Sequence, residues 1–119
     1  MEFRPKQAIY IQLADHVCEN ILRGEWQEGA RIPSIREFAV FAEVNPNTIS
    51  RTYAHLQDLG IICTERGTGF FVASGAIAAT IKLKRDHFFT QDLPEIVKTM
   101  TLLGISLEEF QASVEGQIT

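Results

Sequence analysis

Pro33-Ser34-Ile35-Arg36-Glu37-Phe38-Ala39-Val40-Phe41-Ala42-Glu43-Val44-Asn45-Pro46-Asn47-Thr48-Ile49-Ser50-Arg51 contains two helix starts in close succession. At the first, the Ser34 side chain can accept from the amide three residues on while Glu37 reaches back, a capping box. Ile35, Phe38, Ala39 and Ala42 then repeat at helical spacing, and the helix is expected to end near Glu43 because a new start signal follows at once. That signal is Asn45-Pro46: asparagine caps, and proline fits the first turn, where its missing amide proton leaves nothing unsatisfied. The next helix runs to Leu59, burying Ile49, Tyr53, Leu56 and Leu59, and Gly60 supplies its stop.

Two short helices separated by a few residues make a helix-turn-helix candidate. Asn47, Thr48, Ser50, Arg51 and His55 point outward and are polar, and the first four cluster at the N-terminal end, where recognition helices touch base edges. Upstream, Ile9, Leu13, Val17 and Ile21, flanked by Tyr10, Ala14, Cys18 and Leu22, give an amphipathic helix with Asp15, Glu19 and Arg23 opposite. Gly24 to Pro33 reads as a loop, with Trp26 a plug for the core. Downstream, Ile61 to Thr64 and Phe70 to Val72 are rich in β-branched and aromatic residues and flank Glu65-Arg66-Gly67-Thr68-Gly69, which predicts a β-hairpin. A lone hairpin is unstable in water, so it must lean on the helices, joined by a short strand around Arg31-Ile32. Helix, helix-turn-helix and hairpin in that order make a winged helix, mainly α with a small β-hairpin.

Ala73-Ser74-Gly75 is a small-residue linker, which places a winged domain at 1–75 and a helical tail at 76–119. In the tail Ile77, Ile81 and Phe88 fall on one line. Asp92 with Glu95 can cap a helix carrying Leu93, Ile96, Val97, Met100 and Leu103, ended by Gly104, and Ser106 with Glu109 can cap a last one with Leu107, Phe110 and Val114. Helices this short do not stand alone. Their apolar faces need a partner, and the same segment of a second chain is the simplest one. Ile77, Ile81, Phe88, Leu93, Ile96, Val97, Met100, Leu103, Leu107 and Phe110 are therefore the expected homodimer interface.

The 119 residues carry a net charge of −4, which lends no electrostatic support to nucleic-acid binding. Regionally the balance differs: residues 31 to 71 hold Arg31, Arg36, Arg51 and Arg66 against Glu37, Glu43, Asp58 and Glu65, whereas residues 92 to 119 hold Lys98 against Asp92, Glu95, Glu108, Glu109 and Glu115. A neutral centre permits DNA binding if its arginines share a face. No apolar run approaches the ~20 residues of a bilayer span, and Met1-Glu2-Phe3-Arg4-Pro5-Lys6 lacks an apolar signal core, so a soluble cytoplasmic protein without membrane contact is expected. Cys18 and Cys63 lie in apolar patterns and read as reduced buried thiols rather than a disulfide. His16, His55 and His87 are scattered, without the close spacing of a zinc site, so neither metal nor cofactor is expected. Gly67-Thr68-Gly69 lacks the Lys-Ser/Thr partner of a P-loop, and Cys63 lacks an adjacent base, so no catalytic residue and no enzyme activity is expected.

Three blocks, Arg31 to Ala39, Val44 to Ile49 and Thr64 to Val72, in this order and with Ile9-Tyr10-Ile11-Gln12 and Gly24-Glu25-Trp26 to Gly29 before them, resemble the GntR family of bacterial regulators over residues 8 to 72. The short tail is similar to that of the YtrA subgroup, whose C-terminal helices mainly dimerise and whose members often repress transporter operons. The resemblance implies a DNA-contacting set: Arg36 from the second helix with Arg31 and Ser34 beside it, Asn45, Asn47, Thr48 and Arg51 from the third, and Arg66, Gly67 and Gly69 at the wing tip. The chemistry suits these roles, since arginine presents a fork to guanine or phosphate, asparagine pairs with adenine, and glycine lets backbone approach the minor groove. One departure stands out. The family usually has glycine in the turn, whereas Ala42-Glu43-Val44 would force a glutamate to positive φ at a cost of roughly 1 kcal/mol. The implied function is a homodimeric regulator, a repressor by the subgroup's habit, reading an inverted repeat of double-stranded DNA, with room for a small-molecule effector of unspecified identity. The alternative is a winged-helix protein adaptor, which would expose an apolar patch on the third helix.

Overall fold

Helix α1 (Ile9–Leu22) buries Leu13, Val17 and Ile21 on one stripe, spaced as one face of a helix requires. Ile9 and Leu22, at its two ends, are each 43% exposed, so the apolar stripe overruns the core there. The computed structural model describes residues 1–65 and 67–118 and divides them into two units, Met1–Lys82 and Leu83 onward.

In the first unit α2 (Ile35–Ala42) opens with the full capping box: Glu37 N donates to Ser34 Oγ at 3.1 Å and Ser34 N to Glu37 Oε1 at 2.9 Å. It ends at Glu43, whose φ of 56° and ψ of 48° put it in the left-handed region, where its amide and that of Val44 close back onto Ala39 and Val40. Among the described residues Glu43 is the one non-glycine with positive φ. Helix α3 (Pro46–Asp58) starts at the expected Asn45 cap, with Asn47 N donating to Asn45 Oδ1 at 2.8 Å. It buries Ile49, Thr52, Tyr53 and Leu56, while Leu59 is only half-buried. The Tyr53 hydroxyl donates to the Pro33 carbonyl at 2.7 Å, tying the core of α3 to the residue before α2. Trp26 packs edge-on against Phe38, their centroids 6.2 Å apart.

Strands β1 (Ile62–Thr64) and β2 (Phe70–Val72) pair antiparallel, with Cys63 opposite Phe71. Ile61 is buried just ahead of β1 rather than within it. The expected third strand is a single bridge, Arg31 to Phe71, flanked by Ile32 N to Phe70 O at 2.9 Å and Val72 N to Ala30 O at 3.0 Å. Ile61, Ile62 and Val72 turn inward against the helices, which gives the hairpin the support it cannot supply itself. Helix α4 (Ala76–His87) begins in this unit, where Ala76 and Thr80 are buried and Ile77 and Ile81 exposed.

The second unit holds the end of α4, a π-helical turn at Phe88–Asp92, α5 (Leu93–Leu103) and α6 (Leu107–Ile118). Asp92 does not cap α5 as expected: it keeps helical dihedrals and makes no capping bond, because the π turn carries the backbone on without the extended residue a cap needs. Gly104 ends α5 in the left-handed conformation, and Glu109 N donates to Ser106 Oγ at the start of α6. None of the described residues of the π turn, α5 or α6 is buried in the chain. No described helix is long and apolar enough to cross a membrane.

Candidate nucleic-acid interface

The N-terminal turn of α3 carries the expected polar set on a defined platform. Asn47, Thr48 and Arg51 line one cleft of about 370 Å³ together with Ala8, Ile9 and Tyr10. Arg51 Cζ stands 3.9 Å from the centroid of the Tyr10 ring, within cation–π range. The same ring also meets His55, perpendicular to it at 6.0 Å between centroids. The Thr52 hydroxyl lies 3.1 Å from the Tyr10 carbonyl and 2.9 Å from that of Thr48, and its one proton serves one at a time, holding the start of α1 against α3. The cleft is thus built by α1 as much as by α3. Tyr10 reads in the sequence only as a flank of the α1 stripe, and its signal is an aromatic ring at the helix's polar border.

Arg36 is exposed on the first turn of α2, one residue past the half-buried Ile35, and no hydrogen bond or ion pair among the described residues joins it to the cleft. Ser34 and Glu37 are occupied with capping. The Glu37 carboxyl is held below its ordinary range, first by the Ser34 amide, then by the Ser34 side chain and the Arg31 charge. Asn45 likewise spends its side-chain oxygen on the helix start, which leaves its amide NH₂ as the group available to DNA.

Arg31 belongs with the hairpin rather than with α2. Its guanidinium lies along the backbone of Gly69, so that a Cβ on that residue would come within 3.1 Å of Arg31 Nε and 3.3 Å of Nη2. Gly69 has φ 132°, and Gly67, at φ 74°, sits in the turn with Thr68 N donating to Glu65 O at 2.7 Å. Glycine at 69 therefore does two jobs, allowing the dihedral and making room for Arg31. The wing-tip candidate Arg66 lies outside the described residues.

The outer face of α3 carries no large exposed apolar side chain, but α2 exposes Val40 by 75% and Phe41 by 64%. Phe41 edges a second hollow of about 320 Å³, lined also by His16, Trp26 and Phe38. No group of three or more His, Cys, Asp or Glu among the described residues is arranged to hold a metal ion. Cys18 is buried in α1 and Cys63 half-buried on β1.

A family model for bacterial regulatory proteins of the gntR family matches residues 9–72, more than half of the 119 residues. The chain is 37% identical over 114 residues to the uncharacterized HTH-type transcriptional regulator YhcF of Bacillus subtilis, spanning 96% of this chain and 93% of the relative. It is 31% identical over 120 residues to the HTH-type transcriptional repressor YtrA of the same organism, spanning 95% and 92%. A GntR-family transcriptional regulator from Bacteroides thetaiotaomicron, known from its crystal structure, matches with a TM-score of 0.77 at 40% identity, over 93% of this chain and 96% of that one. A winged helix with a polar recognition face, similar from end to end to short-tailed helix-turn-helix regulators, makes this chain a member of the GntR family of DNA-binding bacterial regulators, on the YtrA-like side, and not an enzyme.

Proposed function

We propose that the chain represses transcription in the cytoplasm by binding an inverted-repeat operator as a homodimer, with residues 1–75 reading the DNA and 76–119 pairing the subunits. The observation that carries this reading is the contrast between the winged domain and the tail, each taken by itself. The cleft at the start of α3 gathers Asn47, Thr48 and Arg51 beside the Tyr10 ring, while the tail leaves Val97, Leu102, Leu103 and Leu107 at least half exposed and fully buries none of its α5 and α6 residues. Short helices that complete no core within their own chain are marginal in water, and a second copy supplies the missing face.

In this reading Arg51, Asn47 and Thr48 contact base edges. Arg36, Ser34 and Asn45 contact the backbone or neighbouring bases, and Arg31, Arg66, Gly67 and Gly69 bring the wing to the minor groove. The naming of YtrA as a repressor favours repression over activation. Two-fold symmetry puts the half-site centres about one helical turn apart, ~34 Å, or a multiple of it. The test is selection of random duplexes on the purified protein at low and at near-physiological salt. An inverted repeat that survives the higher salt supports a dimeric sequence-specific regulator, and loss of all preference as salt rises refutes it.

A further inference from the structure

Helix α4 starts without a capping side chain of its own, because the residue before Ala76 is Gly75, held at φ 83°. The Ala76 amide donates locally to Ala73 O at 3.1 Å, but the amides on either side of it are satisfied from far away. Glu28, in the loop between α1 and α2, accepts from Gly75 N through Oε1 at 2.8 Å and from Ile77 N through Oε2 at 3.0 Å. Both carboxylate oxygens are thus spent on one helix start across 47 and 49 residues of chain. The same two bonds hold the Glu28 carboxyl below its ordinary range, the Gly75 amide being the larger influence. Around this clasp the backbone is anchored from both sides: Gly29 N donates to Val72 O at 2.9 Å, Ala73 N to Ile61 O at 3.0 Å, and Ala76 is fully buried.

A local cap would satisfy the same amides yet leave the helix free to swing about Ala73-Ser74-Gly75. A cap supplied by the reading domain ties the direction of α4 to that domain. We propose that Glu28 is a specificity-determining positioning residue: by clasping the start of α4 it fixes how the helix leaves the winged domain, and so sets which half-site spacing the dimer accepts. This rests on the dimeric reading of an inverted repeat given above, and Glu28 itself touches no DNA in it.

The experiment measures binding to operators whose spacer is lengthened or shortened by one and two base pairs, with an isolated half-site as reference, for the wild-type protein, Glu28→Gln and Glu28→Ala, alongside sedimentation of each. A half-site out of place should cost the wild type about what a mismatched base does, tenfold or more in affinity. Glu28→Ala should flatten that penalty to a few-fold while remaining a dimer and keeping its half-site affinity. Glu28→Gln, whose single amide oxygen can serve only one of the two amides well, should fall between. A Glu28→Ala dimer with the wild-type spacing profile overturns the proposal. So does rapid hydrogen exchange at the Gly75 and Ile77 amides of the wild-type protein, a readout that does not require the variants to fold. A wild type that binds as a monomer or ignores spacing overturns the dimeric reading itself, and is told apart because the failure then shows before any substitution is made.

Discussion

Arg51 Cζ sits 3.9 Å above the centre of the Tyr10 ring, a contact between α3 and the first turn of α1 across 41 positions of sequence. An arginine on a helix surface otherwise samples many rotamers, and each one lost on binding costs free energy. Stacking on Tyr10 removes part of that loss in advance and keeps the guanidinium over the cleft shared with Asn47 and Thr48. Arg51→Ala is expected to weaken operator binding by about 1 to 3 kcal/mol, the scale of one good base contact. Tyr10→Leu should weaken it by about 0.5 to 1 kcal/mol, the scale of an exposed cation–π contact, and Tyr10→Phe by less, since the ring is what matters. Anisotropy titrations of the singles and the double variant check this: the Tyr10→Leu effect should vanish once Arg51 is alanine, and full additivity would show that the two act separately.

Glu43 takes the left-handed dihedrals that the family meets with glycine. A side chain there costs about 1 kcal/mol, partly offset because glycine has more freedom to lose on folding. Glu43→Gly should raise stability by up to ~1 kcal/mol, seen as a higher denaturation midpoint with an unchanged slope. It also removes a carboxylate from the turn before α3, the helix proposed to read the DNA. DNA affinity at low salt should rise with it, and a fall in either quantity would contradict the account.

The Arg51 to Tyr10 stack and the Glu28 clasp mark the boundary of what the sequence carries. The capping box at Ser34 and Glu37, the Asn45-Pro46 start and the Glu43 strain are written in residues within four of each other, and the hairpin in residues within ten, and each is present in the fold. The Arg51 to Tyr10 stack and the Glu28 clasp join residues more than forty apart, and periodicity reports which face a residue is on, not what it meets. Ile9, Leu22 and Leu59 fit the apolar pattern but fall at helix ends, where neighbouring elements run out and exposure follows. Asp92 carried a cap signal that failed for a different reason: the residues before it remain helical, so no extended residue is available to cap. The short strand expected around Arg31-Ile32 is present as the bridge from Arg31 to Phe71, but its partner residue and the packing of the Arg31 guanidinium on Gly69 are tertiary facts that no local pattern carries.

Acid should loosen the winged domain through two carboxyls. Glu28 is held below its ordinary value of 4.5 by the Gly75 and Ile77 amides, and Glu37 below the same value by Ser34. A lowered folded pKa means that the stabilisation is fully present above the unfolded value and is lost as pH falls through the folded one. Stability should therefore be flat above pH 4.5 as far as these groups are concerned and decline below it. A Glu28→Gln, Glu37→Gln double variant should show a shallower acid limb in melts recorded across that range. An acid limb as steep as the wild type's would assign the decline to other carboxyls.

The tail offers the most direct test of assembly. Leu102, Leu103 and Leu107 are each more than two-thirds exposed, on helices with no fully buried residue in their own chain. If these side chains form the centre of a dimer interface, a charge placed among them must be desolvated without a partner, which interfaces tolerate poorly. Leu103→Asp should weaken self-association by on the order of 2 kcal/mol or more. The winged domain has its own core around Leu13, Phe38, Ile49 and Tyr53, so its melting and its half-site binding should change little. Affinity for the whole operator should then fall towards that of a single half-site, because linkage of two sites is lost without loss of any contact to DNA. Sedimentation and operator titration of one preparation decide the matter: a variant that remains dimeric clears these helices of the role, and one that turns monomeric yet keeps full operator affinity separates dimerisation from DNA reading.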